Sequence, residues 1–263
     1  MKRRDFIAAS CLAGVAPLAT AALAEETGKK TKEYYELRLY KMASKEKRDA
    51  FEKYLAEAAI PAWKRLGIGP VGVFEFLPDE KKDESPDLYV LLPAKSAGVL
   101  LAANSHIMAD KEYLKAAADM LGTPKNDPAY QRIESSIMIA FDDIPKLEIP
   151  TKKKGHIFQL RTYESHNEEK AKKKIAMFNE GGEMAVFRDV GMPPVFFGET
   201  LIGNKVTNLT YMLGFDDMAA KEAGWKKFLA DPRWDKLKKD PQYKDTVSNI
   251  TNIMLRPAAC SEI

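Results

Sequence analysis

Two short segments of the chain carry charged and aromatic side chains at alternate positions. In an extended strand such residues share one face, because successive side chains point to opposite sides. A guanidinium can grip a polar or anionic group through paired hydrogen bonds, and a neighbouring tyrosine adds a hydroxyl and a ring. Each triplet could therefore help to line a pocket for a small polar or anionic molecule. The triplets are Glu36, Arg38 and Tyr40 in the first segment and Gln159, Arg161 and Tyr163 in the second.

The same triplets also have a purely structural interpretation. Arg38 could pair with Glu36 or with Glu75 inside the protein. Arg161 could pair in the same way with Glu199. Buried ion pairs of this kind are weak evidence for function, since many of them only satisfy one another. A ligand pocket and a filled internal network both remain open at this point.

Few other residues are placed for chemistry. His166 follows the second triplet closely and could act as a general base, which makes it a weak catalytic candidate. It has no second ligand at metal-binding spacing, so no metal site is predicted. The sequence also contains no phosphate-binding glycine loop and no nucleophile elbow. No motif assigns a reaction, and the cofactor, if there is one, is unknown.

The two triplets belong to a longer internal repeat. The segment 35–40 returns as 158–163, and the glycine–proline turn at 67–71 returns as 191–195. Each half then reads as a strand, an interrupted helix, two strands, further helices and a last strand. This β-α-β-β-α-β order is that of a ferredoxin-like unit, whose helices cover only one face of its sheet. We therefore predict an α+β fold in which tandem ferredoxin-like repeats pack their bare sheet faces together as one barrel.

The alternation of the first strands predicts which side chains enter this barrel. The apolar residues Tyr35, Leu37 and Leu39 suit the helix layer, so the charged triplets are expected to face the lumen. The predicted ligand site is accordingly the lumen. Its candidate residues are Arg38, Tyr40, Arg161, Tyr163, Glu36, Gln159, Glu75 and Glu199.

Three features together resemble the NIPSNAP family. They are the Tyr-Glu-Leu-Arg-Leu-Tyr segment at 35–40, the Gly-Ile-Gly-Pro-Val turn at 67–71, and the run Trp225-x-x-Phe228-x-x-Asp231-Pro232-x-Trp234. The resemblance covers nearly all of residues 33–257 as two tandem copies. It implies the dimeric α+β barrel fold, here formed within one chain. It implies little chemistry, because superfamily relatives include small monooxygenases and haem enzymes and a fold does not transmit a function.

The first copy departs from the family's aromatic helical run. Smaller residues stand at three of the four matching positions, so equal roles for the two copies are not expected. The residues are Asn104, Ile107, Asp110 and Tyr113 in place of Trp225, Phe228, Asp231 and Trp234.

The ends of the repeats define the predicted domain organisation. Residues 1–24 are interpreted as a signal peptide of the twin-arginine type, from Arg3-Arg4, an apolar stretch and a final Ala22-Leu23-Ala24. Residues 33–145 form the first NIPSNAP-like domain, residues 146–155 a linker and residues 156–258 the second domain. We expect an exported protein, periplasmic or extracellular.

The charge balance narrows the function classes. With 41 basic and 38 acidic residues the chain is close to neutral, which argues against a nucleic-acid partner. No integral membrane span is predicted, and association beyond the internal barrel remains open. The first functional hypothesis is an uncharacterised small-molecule binder. The second is an enzyme, either a cofactor-independent monooxygenase or isomerase or a haem protein, and the third is a protein-interaction module.

Overall fold

Eight antiparallel strands form a closed barrel in the computed structural model, which describes residues 31–78 and 85–263. The predicted signal peptide lies outside the described residues. Alternating β-branched, aromatic and leucine residues give each strand two distinct faces. The strands are β1 (Tyr34–Lys41), β2 (Gly72–Phe76), β3 (Leu88–Ala94), β4 (Arg132–Ala140), β5 (Ile157–Glu164), β6 (Pro194–Ile202), β7 (Asn208–Phe215) and β8 (Asn249–Pro257).

The barrel consists of two four-stranded sheets, one from each half of the chain. Its strand order is β1-β3-β2-β8-β5-β7-β6-β4, with β1 and β5 at equivalent places. The two sheets join where β2 pairs with β8 and where β4 pairs with β6. Each half has the ferredoxin-like order, so the predicted α+β barrel of tandem ferredoxin-like repeats is confirmed.

Helices cover the outside of both sheets. A π-helical turn joins the first two, and none of the described helices is long and apolar enough to cross a membrane. They are α1 (Lys45–Tyr54), α2 (Ile60–Arg65), α3 (Ala97–Ile107), α4 (Lys111–Ala116), α5 (Ala118–Leu121), α6 (Glu168–Phe178), α7 (Glu183–Asp189), α8 (Met218–Ala230) and α9 (Pro232–Lys238).

The helices begin at equivalent residues in the two halves. Side-chain caps satisfy the free N–H groups of each first turn, and they recur at nearly constant spacing along the chain. The capping pairs are Ser44 and Asn167 for α1 and α6, Ser96 and Asp217 for α3 and α8, and Asp110 and Asp231 for α4 and α9.

The expected orientation of β1 and β5 is wrong: the face predicted to lie in the lumen lies under the helices, and the other face lies in the lumen. Tyr35 packs in the lumen, whereas Tyr40 packs in the helix-side core of the first half. In the second half Phe158 lies in the lumen, and Tyr163 lies under the helices. Both polar triplets therefore face the helix layers and not the lumen.

Large apolar side chains from both sheets fill the middle of the barrel. Eight strands leave an interior that side chains can close completely, and the protein uses aromatic rings and methionines for this. Strand alternation determines that two faces differ, but it does not determine which one is enclosed. The fully buried lumen residues include Tyr35, Phe74, Leu91, Met138, Phe158, Phe196, Met212 and Leu255.

Candidate functional site

A cavity of about 490 Å³ lies between the sheet and the helices of the first half. Its floor is the outer face of β1, and its walls come from α1 to α5 and the segment before β4. Exposed residues such as Met108 and Leu121 form its rim. The residues that give it its chemical character are Arg38, Tyr40, Tyr54, Trp63, Asn104, Ile107, Tyr113 and Tyr130.

A buried ion pair forms the polar end of this cavity. Arg38 Nε donates to Glu36 Oε1 at 2.7 Å, and Nη2 donates to Oε2 at 2.8 Å. Ser135 Oγ donates to Glu36 Oε1 at 2.7 Å. Arg38 is 4% exposed and Glu36 is 7% exposed. Burial by itself lowers the pKa of Arg38, but the hydrogen bonds that it donates to Glu36 and Tyr40 hold that pKa above the ordinary value. Arg38 therefore keeps its charge, and its ion pair with Glu36 is neutral as a unit.

The other side of the Arg38 guanidinium has looser partners. Nη1 donates to the Tyr40 hydroxyl at 3.3 Å, and Nη2 reaches Asn104 Oδ1 at 3.4 Å. These distances exceed those of a strong charge-assisted bond. Burial raises the pKa of Tyr40, so its hydroxyl stays protonated at neutral pH. A bound acceptor could therefore replace these contacts without disturbing the ion pair.

Aromatic rings form most of the remaining wall. Tyr40 packs on Phe51 with ring centroids 4.7 Å apart and meets Tyr130 at 5.4 Å. The hydroxyls of Tyr54 and Tyr113 lie 2.9 Å apart. Burial and this hydrogen bond raise the pKa of Tyr54. The cavity is therefore walled by uncharged rings, with one polar end.

The equivalent space in the second half is filled by Trp225. Its indole Nε1 donates to Gln159 Oε1 at 2.6 Å, and Gln159 Nε2 donates to Asn252 at 2.8 Å. The Arg161 guanidinium lies over the Trp225 ring at 4.5 Å and over the Tyr163 ring at 5.2 Å. Among the described residues Arg161 has no ion-pair partner, since its neighbour is the neutral Gln159. Cation–π contact replaces the salt bridge of the first half.

Sequence differences on one helix explain why only one half has this cavity. Asn104 and Trp225 each stand eight residues after the cap of their helix, at Ser96 and Asp217. Replacing an indole by a short amide removes a bicyclic ring from the space between helix and sheet. The departure from the aromatic run therefore opens the cavity.

The structure separates the predicted site residues. Arg38 and Tyr40 line the cavity, and Glu36 lies behind Arg38. Glu75 instead pairs with Arg256 at 2.6 Å and lies 3.5 Å from Arg48. Of the two pairings predicted for Arg38, the one with Glu36 is confirmed.

The other predicted residues lie away from the first-half cavity. Glu199 is half-buried on β6, and the expected pair between it and Arg161 is not found in the described part of the chain. His166 is exposed in the turn between β5 and α6 and lines neither the cavity nor the lumen. Its catalytic role stays a prediction.

Glu52 of α1 should give the protein a pH-dependent stability. Burial, with the nearby Glu75 carboxylate, raises the pKa of Glu52 from 4.5 to about 7. A raised pKa contributes stability below the unfolded value, and this contribution is lost as the pH rises through about 7. We expect Glu52→Gln to be more stable than the wild type by about 1 kcal/mol at pH 8, allowing for partial solvation, with no gain at pH 4.

Urea unfolding at both pH values measures this difference in stability. Glu57→Gln, an exposed change on the same helical run, is the control and should show no such pH dependence. An equal effect at both pH values would rule the titration out.

Residues 31–78 and 85–263 enclose a small recess of about 200 Å³ in the lumen, near one end of the barrel. Leucines and threonines such as Leu37, Leu160, Thr162 and Thr210 line it. None of the eight predicted ligand-binding residues contributes to this lining. The predicted placement of these residues in the lumen is therefore wrong, whereas their ligand-binding role stays a prediction.

The described lining of the first-half cavity offers a haem neither a histidine nor a thiolate ligand. Haem iron takes a histidine, a thiolate, a methionine or a tyrosinate as axial ligand. No histidine or cysteine lines this cavity within the described residues. Burial raises the pKa of Tyr40 and of Tyr54, which disfavours the phenolate that a tyrosine ligand requires. The remaining donors are the hydroxyls of Tyr113 and Tyr130 and two thioethers, one from Met108, which directly follows α3, and one from Met120 of α5.

Several cavity residues were missed by sequence reasoning. Trp63, Tyr54 and Tyr130 come from three separate segments, and no local pattern connects them. Asn104 did carry a signal, because it stands at the position that Trp225 occupies in the second half. A small residue at a position that is large in the other copy marks a space that the chain leaves open.

Comparisons with known proteins agree with this fold. Residues 158–262 match the NIPSNAP family model. No curated protein sequence matches the chain significantly. A candidate monooxygenase from Fusobacterium nucleatum is 12% identical, with 86% of this chain aligned to 93% of that chain at a TM-score of 0.52. Another from Lactobacillus acidophilus is 12% identical, with 86% of this chain aligned to 94% of that chain at 0.51. A NIPSNAP-like domain protein from Burkholderia xenovorans is 22% identical over 40% of this chain and 86% of its own length, at 0.35.

Proposed function

We propose that this chain is a two-copy NIPSNAP-type protein whose first copy binds a small, uncharged, largely aromatic molecule in the cavity beside Arg38. The observation that carries the proposal is the cavity itself, about 490 Å³ in volume and walled by aromatic rings around one polar end. Ligand pockets of this kind are typically about 300–1,000 Å³, mostly apolar, with few polar groups that orient the ligand. The second copy supports the fold and encloses no comparable space among the described cavities.

The charges of the cavity favour an uncharged ligand. Glu36 already neutralises Arg38, so a bound anion would have to compete with a buried carboxylate for the same guanidinium. Removing one partner from a buried pair is costly. Of the polar and anionic ligands that the sequence suggested, the cavity therefore supports the polar one, a neutral molecule with an acceptor atom.

Filling the cavity should abolish binding. We expect Asn104→Trp to remove any small molecule that the wild type retains in native mass spectrometry, because the indole restores the side chain found in the second copy. Ser105→Trp is the matched control, since Ser105 is an exposed neighbour on the same helix that does not line the cavity. The control should keep the ligand. A wild type that carries nothing and binds no member of an aromatic library would contradict the proposed function.

A second candidate function is oxygenation of the bound molecule without a cofactor. Arg38 Nη1 and the Asn104 amide nitrogen are hydrogen-bond donors at one end of the cavity, where they could stabilise an enolate or phenolate oxygen. The names of the Fusobacterium and Lactobacillus proteins agree with such chemistry, although the likeness concerns the fold. An oxygen electrode distinguishes the two functions, since only oxygenation consumes O₂ when the bound molecule is supplied.

We also propose that the protein is exported after folding. The twin-arginine motif and the final Ala22-Leu23-Ala24 support cleavage before Glu25. Intact mass of the periplasmic or secreted protein should correspond to a chain that begins at Glu25. A cytoplasmic protein that retains residues 1–24 would overturn this proposal.

A further inference from the structure

The second half of the protein holds an aromatic ring system where the first half holds a cavity. The indole of Trp225 is fixed there by a stacked Arg161 guanidinium at 4.5 Å and by its hydrogen bond to Gln159. It also packs at near right angles to the rings of Phe187 and Phe228, with centroid distances of 5.9 and 5.7 Å. The protein thus shows which shape of group fits between this sheet and this helix.

The frame around this space is the same in both halves. Arg38 pairs in register with Val90 across the neighbouring strand, and Arg161 pairs with Tyr211 at the equivalent place. The helices that pass over the two arginines begin at equivalent caps. Asn104 occupies the position in the first half that corresponds to Trp225, and its side chain is only a short amide. The volume left beside Arg38 therefore includes the volume of a planar bicyclic ring.

We infer that the ligand of the first-half cavity is a planar fused-ring aromatic molecule that stacks on the Arg38 guanidinium in the place of the Trp225 indole. This inference rests on the proposed function and specifies its ligand class. Arg38 lies against the Trp63 ring with a centroid distance of 5.4 Å on one side. Stacking by a flat ring suits a guanidinium because its faces carry no N–H groups and are weakly hydrated.

The polar group of the ligand should differ from that of an indole. In the second half Gln159 accepts the indole N–H. In the first half the corresponding Glu36 already accepts three hydrogen bonds, two from Arg38 and one from Ser135. The groups left to meet a ligand are Arg38 Nη1 and the exposed amide of Asn104, and both can donate. The ligand is therefore a fused-ring aromatic with an oxygen acceptor at one edge.

A matched pair of probes tests the ligand class directly. We would titrate the chain that begins at Glu25 with 2-naphthol and with decahydro-2-naphthol by isothermal titration calorimetry. The two molecules share a hydroxyl and a bicyclic skeleton, but only the first is flat and aromatic. We expect 2-naphthol to bind at least about tenfold more tightly, because only a flat ring can stack on Arg38. The Asn104→Trp variant should lose this binding, whereas Ser105→Trp should keep it.

The second half provides an independent gain-of-binding test. Trp225→Asn should open the equivalent space beside Arg161, so the folded variant should bind two equivalents of 2-naphthol in place of one. Circular dichroism confirms the fold of the variant. A folded Trp225→Asn protein that still binds one equivalent would overturn the inference. If this variant does not fold, the probe pair on the wild type decides alone.

The outcomes separate the ligand class from the proposed function. Equal or tighter binding of decahydro-2-naphthol overturns the planar aromatic class and leaves small-molecule binding intact. Binding of neither probe also overturns the class. In that case a molecule retained by the wild type and lost in Asn104→Trp keeps the proposed function, whereas an empty wild type removes both.

Discussion

Replacement of Lys174 by methionine is expected to destabilise the protein by about 3–5 kcal/mol, because it leaves a buried carboxylate without its partner. Lys174 Nζ donates to Glu183 Oε2 at 2.6 Å, and the two residues are 3% and 2% exposed. The ammonium also lies over the Phe178 ring at 4.3 Å. Urea unfolding measures the loss, with Lys172→Met, an exposed change two residues away on α6, as the control.

Two further measurements identify the cause of this loss. The double variant Lys174→Met, Glu183→Leu should recover most of the stability, since an apolar pair of similar volume can replace a buried ion pair. Burial raises the pKa of Glu183, and removing the ammonium would raise it further. Because a raised pKa favours the folded state at low pH, the deficit of Lys174→Met should shrink as the pH falls and grow as it rises. A deficit no larger than that of Lys172→Met would show that the pair is not buried in solution.

The second large effect is an asymmetry between the two equivalent arginines. Arg38→Ala should cost about 3 kcal/mol or more, because Glu36 would remain buried with its charge uncompensated. Arg161→Ala should cost about 1 kcal/mol, since Arg161 is partly exposed and loses its stacking on Trp225. Chemical unfolding of both variants under the same conditions gives the comparison.

A double variant tests whether the uncompensated Glu36 carboxylate causes the larger stability loss of Arg38→Ala. Arg38→Met combined with Glu36→Leu removes both charges and should be closer to the wild type than Arg38→Ala alone. Equal losses for Arg38→Ala and Arg161→Ala would contradict the assignment of a buried ion pair to one half and a cation–π contact to the other.

Much of the fold could be predicted because its signals are local. The alternation of 34–40 and 157–163 indicates strands, and β1 and β5 cover these segments. Ser44 and Asn167 were recognisable as caps because a short polar side chain before a helix accepts a first-turn N–H, as both do here. The repeated order of the elements then leaves few ways to cover two bare sheet faces other than against each other.

The site was predicted only in part, because it depends on contacts between distant segments. Arg38 and Tyr40 were identified by residue type, and the Arg38–Glu36 pair was one of the stated alternatives. Tyr54, Trp63 and Tyr130 join them only after folding. Their spacing in the chain contains no information about a shared wall.

The sequence by itself determined that each first strand has a charged face and an apolar face, and that the two halves differ at Asn104 and Trp225. Period-two alternation fixes this division whatever the strand packs against. Only the tertiary structure decided which face is enclosed: the apolar faces of both sheets close on each other in the lumen, and the arginines lie under the helices. The physical reason is that eight strands leave room for about one layer of side chains, which Phe74, Phe158 and their neighbours fill. The charged face is left to the helix layer, where one missing indole leaves a cavity.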